Sequence, residues 1–294
     1  MNKQSLASSA GKYHESVMIK EVLESLHLSN RLHLKTGSQI IDATLGTGGH
    51  TEAIVKAGGK VLGIEADPKM LDIAKKRIGP SKAEASKLVL GNFSNIEQIA
   101  KDNNFAEVDG ILFDLGVSNL HFKDDERGFS FSDSEQDLDM RLNPEIQGVK
   151  ASDLLNVLDQ TQLTQLFGKV LSHNESKRIA GRIMSVRPIN KVSELIKLLE
   201  GLPHKEKLNP ATLPMLALRI AVNSELDNLN EVIPTAIGLL KKGGKLLIIT
   251  FHSGEEKIVQ KYMEKRTKIR IPSYQEINRN VRSRSAKLYV YTKN

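Results

Sequence analysis

Cysteine is absent from this chain of 294 residues. Neither a disulfide bond nor a thiolate metal site can therefore form, and the absence fits a reducing compartment. Metal sites built from histidines or carboxylates stay open, but no HExxH or similar spacing appears. The sequence therefore predicts no metal centre.

Long hydrophobic runs are also missing. No apolar run approaches the roughly 20 residues that cross a bilayer, and residues Met1–Lys12 lack the apolar core of a secretory signal. We therefore expect a cytoplasmic protein without a membrane partner. A hydrophobic content of 39% can supply a sizeable core, and the length allows one large domain or two smaller ones.

Acidic residues are outnumbered, so the net charge is +7. The excess is concentrated in a basic tail, residues 257–294, which has few acids. Its basic residues are Lys257, Lys261, Lys265, Arg266, Lys268, Arg270, Arg279, Arg282, Arg284, Lys287 and Lys293. Because phosphate contacts dominate affinity for nucleic acids, this tail predicts a polyanionic partner, with a merely solvated surface as the alternative.

Strand and helix patterns alternate from Gln39 onward, which is typical of a parallel sheet with crossover helices. The predicted strands cover residues 39–45, 60–65, 87–90, 108–115 and 245–251, and an extended segment near residues 287–291 is expected to complete the sheet. Helices are predicted between them. One opens with Asp67 as its N-cap and Pro68 at its first position.

The alternation stops between His121 and Val222, where the pattern predicts loops and helices. These helices cover residues 152–158, 160–171, 175–186, 191–199 and 211–222. A further helix, residues 224–240, and a turn at residues 242–244 lead back to the sheet. We therefore predict a discontinuous domain, residues 1–121 and 223–294, with an inserted helical subdomain at residues 122–222 that recognises the substrate.

A glycine-rich turn, Gly46–Gly49, joins the first strand to the first helix. Glycines let the backbone approach a ligand closely, and the helix that follows presents unpaired N–H groups and a positive dipole end. A dinucleotide fingerprint would need a glycine where Thr51 stands, and no Gly-Lys-Ser/Thr of a P-loop follows. These exclusions favour a cofactor without a pyrophosphate, with S-adenosylmethionine as the leading candidate.

Four side chains stand near strand ends, where ligands of an open parallel sheet bind. Glu65 is placed to accept hydrogen bonds from the ribose hydroxyls of an adenosine, or to cap a helix. Phe93 is a candidate for contact with the adenine ring, or for the core. Asp114 is a candidate for the cofactor's amino group or for the reacting group of the substrate. His50, directly after Gly49, is a candidate contact of the cofactor's amino-acid end.

Seven sequence blocks, in order along the chain, resemble the bacterial RsmH (MraW) family. They are Asp42-Ala-Thr-Leu-Gly-Thr-Gly-Gly-His50, Asp109-Gly-Ile-Leu-Phe-Asp-Leu-Gly-Val-Ser118, Glu126-Arg-Gly-Phe-Ser-Phe131, Leu138-Asp-Met-Arg141, Val222-Asn-Ser-Glu-Leu226, Phe251-His-Ser253 and Arg282-Ser-Arg-Ser-Ala-Lys287. Members of this family transfer a methyl group from S-adenosylmethionine to the N4 amine of a decoding-centre cytosine in small-subunit (16S) ribosomal RNA.

The resemblance implies a fold, a cofactor, a partner and a set of contacts. The fold is a Rossmann-like class I methyltransferase α/β fold with a mostly parallel sheet and an inserted helical subdomain. The partner is ribosomal RNA or the small ribosomal subunit, and the oligomeric state stays open, a homodimer included. The implied cofactor contacts are Gly48, Gly49, His50, Glu65, Phe93, Asp114 and His121.

Some positions depart from the family pattern. Glu65 stands where many members have Asp, and His121 where others have Gln, but both substitutions keep the capacity for hydrogen bonding. Residues 134–136 and 173–175 also differ, and the proline that commonly precedes the Arg-Ser-Arg-Ser motif is missing. These last departures lie in the insert and the tail, so they concern substrate contacts.

Asp114 is the candidate catalytic residue. The lone pair of a cytosine amine is delocalised into the ring, and a carboxylate that accepts from the amine would localise the pair and take its proton. Backbone carbonyls of the turn Leu115–Ser118 are the alternative. DNA amino-methyltransferases carry Pro-Pro and an aromatic residue at this point, so this turn argues against their class.

RNA contacts are predicted in the insert and the tail. Phe129 and Phe131 are candidate stacking surfaces for an unstacked base, or they line the junction of insert and core. The candidate phosphate contacts are Arg141, Arg178, Arg182, Arg282 and Arg284. Two other functions stay open, namely a methyltransferase acting on another nucleic-acid amine and a non-catalytic RNA-binding scaffold.

Overall fold

The computed structural model describes residues 16–26, 37–123, 126–131, 135–202, 209–263 and 267–294. The chain divides into two compact units. The first unit comprises residues 1–118 and 229–294, and the second comprises residues 119–228. The domain boundaries predicted at residues 121 and 222 differ from this division by three and six residues.

The first unit contains a seven-stranded sheet in the order β3-β2-β1-β4-β5-β7-β6. The strands are β1 (Gln39–Asp42), β2 (Lys60–Glu65), β3 (Ser86–Leu90), β4 (Val108–Asp114), β5 (Leu240–Thr250), β6 (Thr267–Arg270) and β7 (Lys287–Thr292). All pairings among β1 to β5 are parallel, whereas β7 runs antiparallel to both β5 and β6. The predicted α/β class with a mostly parallel sheet is confirmed.

Thirteen α-helices lie within the described residues. They are α1 (Ile19–Leu26), α2 (Gly49–Lys56), α3 (Pro68–Ile78), α4 (Ile96–Asp102), α5 (Asn119–Lys123), α6 (Ala151–Val157), α7 (Gln160–Phe167), α8 (His173–Val186), α9 (Val192–Leu199), α10 (Thr212–Val222), α11 (Glu225–Leu239), α12 (Ser253–Met263) and α13 (Tyr274–Arg279). Among these described helices, none is both long enough and apolar enough to cross a bilayer.

Strand β4 shows why the sheet carries near-continuous apolar runs. Ile111, Leu112 and Phe113 are each 0% exposed, since helices cover both faces of a parallel sheet. Successive side chains point to opposite faces, so Ile111 and Phe113 pack with Val232 in one core cluster. Leu112 packs with Val22 in the cluster on the other face. The burial of this strand on both faces agrees with its sequence.

The start of β5 corrects one prediction. The strand begins at Leu240, and the turn predicted at residues 242–244 is an irregularity within it. Val108 pairs with Leu240 and Gly110 pairs with Lys245. Between these two pairs β5 has more residues than β4, and the extra residues form a bulge. Gly243 supplies the left-handed backbone there, with φ of 81°. A glycine signal typical of a turn therefore marks a bulge in this chain.

Other element boundaries also differ from the predictions. β1 ends at Asp42 instead of residue 45, and α7 ends at Phe167 instead of residue 171. The sequence also predicts a final helix over residues 255–265, which corresponds to α12. α12 begins two residues earlier, and residue 265 lies outside the described residues. The predictions did not include α1, α4, α5, β6 and α13. These are short elements, with four to eight residues each, so their periodicity spans barely two turns or pleats.

The second unit is built from helices with well-formed N-termini. Asp159 caps α7, since its carboxylate accepts from Gln162 N at 2.8 Å while Gln162 Oε1 accepts from Asp159 N at 3.0 Å. Ser172 and Glu175 form the same capping box at α8. Glu175, the last residue of the segment 173–175, therefore has a structural role here.

A glycine turn shapes the segment that precedes these helices. Gly128 has φ of 72°, and a Cβ at this position would lie 2.4 Å from the carbonyl oxygen of Asp137. Gln136 Oε1 accepts from Gly128 N at 3.1 Å, so this residue of the departure at 134–136 stabilises the turn. Ser134 lies outside the described residues. Both the backbone conformation and the space thus require glycine at position 128.

Gly128→Ala should destabilise the protein more than Gly201→Ala. Gly201 has a similar φ of 70°, but nothing lies within 4 Å of a Cβ there, so its substitution costs only the left-handed conformation, about 1–2 kcal/mol. Gly128→Ala adds a clash with backbone, and we expect a loss of roughly 3 kcal/mol or more. Urea denaturation of both variants measures the difference. Equal losses would show that the turn has room for a side chain.

Candidate functional site

The glycine-rich turn lies between two strands of the first unit. After β1, Ala43 N donates to Leu112 O at 2.9 Å and Leu45 N donates to Ile64 O at 2.9 Å. The chain then turns through Gly46 and Gly48, whose φ angles are 53° and 81°. The turn is therefore fixed at the carboxyl edge of the sheet, where ligands of such sheets bind.

Gly48 also brings the turn against α3. A Cβ at Gly48 would lie 3.2 Å from Ile78 Cδ1 and 3.3 Å from Ala74 Cβ. The first amides of α2, those of Gly49 and His50, follow directly. Since the first four N–H groups of a helix have no intrahelical partner, they are available to a polar or anionic group.

A salt-bridge cluster ties α2 to α3 beside this turn. Glu52 bonds Arg77 Nε at 2.9 Å and Lys56 Nζ at 2.6 Å, and Arg77 Nη1 lies 3.5 Å from Thr47 Oγ1. Burial favours the neutral carboxyl, but the hydrogen bonds and charges of Lys56 and Arg77 outweigh it and lower the pKa of Glu52 to about 2. The cluster thus stays charged at neutral pH and restrains the turn.

Glu65 joins the end of β2 to the glycine-rich turn. Its Oε2 accepts from Gly46 N at 2.6 Å, and its Oε1 accepts from Asp67 N at 2.9 Å. Asp67 is the N-cap of α3, so the capping interpretation of Glu65 holds. Each carboxylate oxygen has two lone pairs, so a hydrogen bond within the protein does not exclude a ribose hydroxyl, and both interpretations are compatible.

Asp114 ends β4 and forms the centre of the site. Its backbone N donates to Thr44 Oγ1 at 2.6 Å, and its Oδ2 lies 3.6 Å from His50 Nδ1. The side chain keeps 23% of its surface exposed, but Oδ1 is buried and accepts no hydrogen bond from the described residues. Leaving such an atom unpaired is costly, so it marks a place where a ligand donor fits.

The electrostatic surroundings of Asp114 are mixed. Desolvation is the largest influence and raises its pKa to about 6. His50 and Arg282 lower the pKa, while the nearby carboxyl groups of Asp42 and Glu255 raise it. Asp114 is therefore mainly ionised at neutral pH, but a small change in its surroundings alters its charge within the physiological range.

The ring of His50 is buried, and its contacts are with the protein. Its Nε2 lies 2.9 Å from Val17 O and donates to it, so its other nitrogen faces Asp114. The side chain thus connects the segment before α1 with the carboxyl at the end of β4. A contact between this residue and a cofactor would therefore come from the backbone N–H at the start of α2.

Phe93 follows β3 and packs edge-to-face on Phe113, with ring centroids 5.5 Å apart. It is only partly buried and lies at the border of the core cluster. Part of the ring stays available for contact with an adenine. The two alternatives for Phe93 are thus compatible, since one part of the ring packs in the core.

Sequence reasoning missed Glu255 and Thr44. Glu255 is 3% exposed, and its Oε2 accepts from Phe251 N at 2.7 Å and from His252 N at 3.2 Å. Its Oε1 lies 3.2 Å from His252 Nε2. The signal was a glutamate in the first turn of a helix, typical of a cap. It fixes the turn after β5, directly beside the end of β4.

Arg282, predicted to hold RNA, contacts the turn that follows Asp114. Its Nη1 donates to Val117 O at 3.2 Å, and its side chain is partly buried. Arg284, two residues later, is exposed. The two arginines of the motif thus have different surroundings, which the sequence did not distinguish.

In the second unit, His121 and Phe129 pack on each other. The rings lie 5.1 Å apart, and the Arg127 guanidinium stands 5.5 Å from the Phe129 centroid. Phe129 is 4% exposed, whereas Phe131 is 41% exposed. Of the two candidate stacking surfaces, Phe131 is the one with an open face in this structure.

The three predicted arginines of the insert also differ. Arg141 forms a two-bond pair with Asp139, at 2.6 and 2.7 Å, and Nη1 donates to Gln147 O at 2.6 Å. Its charge is therefore compensated within the unit, and its role there is structural. Arg178 and Arg182 are exposed, although Arg182 Nη1 also donates to Leu198 O at 2.8 Å. These two remain surface cations.

Comparison with known proteins gives a consistent result. The model of the MraW methylase family matches residues 11–273. A ribosomal RNA small subunit methyltransferase H from Dehalococcoides mccartyi is 38% identical, over 94% of this chain and 85% of its own length. The protein of that name from Dictyoglomus thermophilum is 36% identical, over 94% of this chain and 95% of its own length. The one from Methylacidiphilum infernorum is 40% identical, over 85% of this chain and 78% of its own length.

The sheet order agrees with these similarities. With β7 antiparallel between β5 and β6, the sheet has the Rossmann-like class I methyltransferase fold that the resemblance implied. The family match covers most of the chain, including every strand up to β6 and the Asp114 site. The chain therefore belongs to the MraW methylase family.

Proposed function

We propose that this protein transfers a methyl group from S-adenosylmethionine to the N4 amine of a decoding-centre cytosine in small-subunit (16S) ribosomal RNA. The observation that carries the proposal is Asp114, whose buried Oδ1 has no donor among the described residues. A cytosine amine is such a donor. The relatives are named ribosomal RNA small subunit methyltransferases, which supports RNA of the small subunit as the substrate.

The residues around the glycine-rich turn fit the cofactor. Bound S-adenosylmethionine supplies a methyl group on a sulfonium, and the sulfur keeps the electron pair of the broken bond as a neutral thioether. The amides of Gly49 and His50, behind the left-handed Gly48, would hold its carboxylate. Glu65 would accept from the ribose hydroxyls. Phe93 would contact the adenine, and His121 of the second unit remains a proposed contact.

Asp114 would activate the amine. Oδ1 accepts one N–H of the amine, which localises the nitrogen lone pair toward the methyl carbon, and the carboxylate then receives the proton that the methylated nitrogen releases. Val117 O, one of the alternative acceptors in the adjacent turn, already accepts from Arg282. The carboxylate is proposed instead, because its Oδ1 has no donor among the described residues.

RNA contacts are proposed for the exposed members of the predicted set. Phe131 would stack on an unpaired base, and Arg178, Arg182 and Arg284 would contact phosphates. Because the substrate is part of the small ribosomal subunit, we propose that the protein works in the cytoplasm. The basic residues of the tail add attraction for RNA.

Deletion of the gene should remove one N4-methylcytosine signal from small-subunit RNA. Nucleoside mass spectrometry of fragments around the decoding centre measures this loss. The wild-type gene should restore the signal, and Asp114→Ala should not, because it lacks the proton acceptor. A signal that persists in the deletion strain would contradict the proposed substrate.

Glu65→Ala should weaken binding of S-adenosylmethionine by about 10- to 100-fold, because two hydrogen bonds to the ribose are lost and each factor of ten is about 1.4 kcal/mol. Isothermal titration calorimetry measures the affinity. Glu65→Asp is the matched control, since it keeps the carboxylate found in many family members, and it should bind within a few-fold of wild type. Wild-type affinity in Glu65→Ala would refute the assignment.

Methyl transfer should slow at acidic pH. The pKa of Asp114 is raised to about 6, so the active carboxylate predominates above that value and is protonated below it. The single-turnover rate should fall about tenfold for each pH unit below 5. Asp114→Asn should leave a low, pH-independent rate. A decrease that persists in Asp114→Asn would point to Asp42, whose pKa is also raised to about 6.

A further inference from the structure

Arg282 reaches the methyl-transfer site from a distant part of the chain. It lies in the 3₁₀ turn Val281–Ser285, and its Nη1 donates to Val117 O at 3.2 Å across 165 positions of sequence. Val117 lies three residues after Asp114, in the turn between β4 and α5. The guanidinium therefore holds the backbone directly beside the candidate catalytic carboxyl.

The 3₁₀ turn separates Arg282 from Arg284. Ser283 between them is 0% exposed, and its Oγ donates to Asn280 O at 2.7 Å. This anchor leaves Arg282 partly buried and Arg284 exposed. Two arginines of one motif thus stand in different surroundings, although the sequence gives them the same charge and nearly the same position.

The charges that face Asp114 come from four elements. His50 belongs to α2, Asp42 to β1, Glu255 to α12 and Arg282 to the 3₁₀ turn. Arg282 adds a fixed positive charge to this group, since a guanidinium stays protonated at all physiological pH values. With Arg282 removed, two carboxyl groups and one histidine remain around Asp114.

We propose that Arg282 is a positioning residue of the methyl-transfer site, which holds the turn after Asp114 through Val117 O. The inference rests on the proposed function and deepens it. It separates Arg282 from the phosphate contacts to which the sequence assigned it, and it leaves that role to Arg284. The guanidinium acts through the turn and through Asp114, without contact to the reacting atoms.

Loss of the guanidinium has two expected consequences. The turn after Asp114 loses a charged hydrogen bond, which should lower kcat about tenfold. The positive charge near Asp114 also disappears, and since Arg282 lowers the pKa of Asp114, that pKa should rise. The acidic limb of the kcat profile should then move to higher pH. Affinity for RNA should change little.

Arg282→Ala, Arg282→Lys and Arg284→Ala make the matched set. Methyl transfer to purified small-subunit RNA, measured from pH 5 to pH 8, gives kcat, KM and the acidic limb for each variant. Arg282→Lys should keep the acidic limb of the kcat profile at the wild-type pH, because the positive charge is kept. Its kcat should stay below that of the wild type, because lysine cannot reproduce the planar donor. Arg284→Ala should raise KM and reduce the salt dependence of RNA binding, with kcat and limb unchanged.

A second measurement does not depend on activity. Carbon-13 labelling of aspartate allows NMR titration of the Asp114 carboxyl, assigned with Asp114→Asn. Its midpoint should rise in Arg282→Ala and stay in place in Arg284→Ala. An unchanged midpoint in Arg282→Ala would overturn the inference. So would a loss of RNA affinity in Arg282→Ala that equals the loss in Arg284→Ala, with kcat unchanged. If the wild type transfers no methyl group to this RNA, the proposed function fails, and the titration still decides the inference.

Discussion

The carboxyl of Asp114 is the constraint on which the rest of the site depends. One of its oxygens has no donor among the described residues, at a point where β1, β4 and β5 end side by side. Thr44 Oγ1 accepts a hydrogen bond from the backbone N–H of Asp114, and His50 Nδ1 lies 3.6 Å from Asp114 Oδ2. These contacts orient the side chain without satisfying Oδ1. A buried acceptor without a hydrogen bond lowers the stability of the fold, and a ligand that carries N–H groups can supply the missing bond.

The opposing charges around that carboxyl act on its pKa. Desolvation and the carboxyl groups of Asp42 and Glu255 favour the protonated form, whereas His50 and Arg282 favour the ionised form. A carboxyl with an ordinary pKa would be ionised but a weak proton acceptor. A fully desolvated one would be neutral and would accept no proton. An intermediate pKa keeps the carboxylate at neutral pH and makes it a stronger base.

Much of the fold was predictable because its signals are local. The apolar run of β4, the cap at Asp67 and the glycine-rich turn each depend on neighbouring residues. The partners of the site residues were not predictable, because they are distant in sequence. His50 bonds Val17 across 33 positions, and Arg282 bonds Val117 across 165 positions. No periodicity within a window of 18 residues can report such pairs.

Residue type alone did not distinguish the arginines that were predicted to contact RNA. Arg141 and Arg284 contribute equally to the net charge, yet Arg141 is paired with Asp139 inside the second unit and Arg284 is exposed. A cation whose charge is already compensated has little to gain from a phosphate, because it must first give up its partner. Affinity for a polyanion therefore follows the cations that folding leaves exposed. In this chain, folding pairs Arg141 with an acidic side chain and leaves Arg284 exposed to solvent.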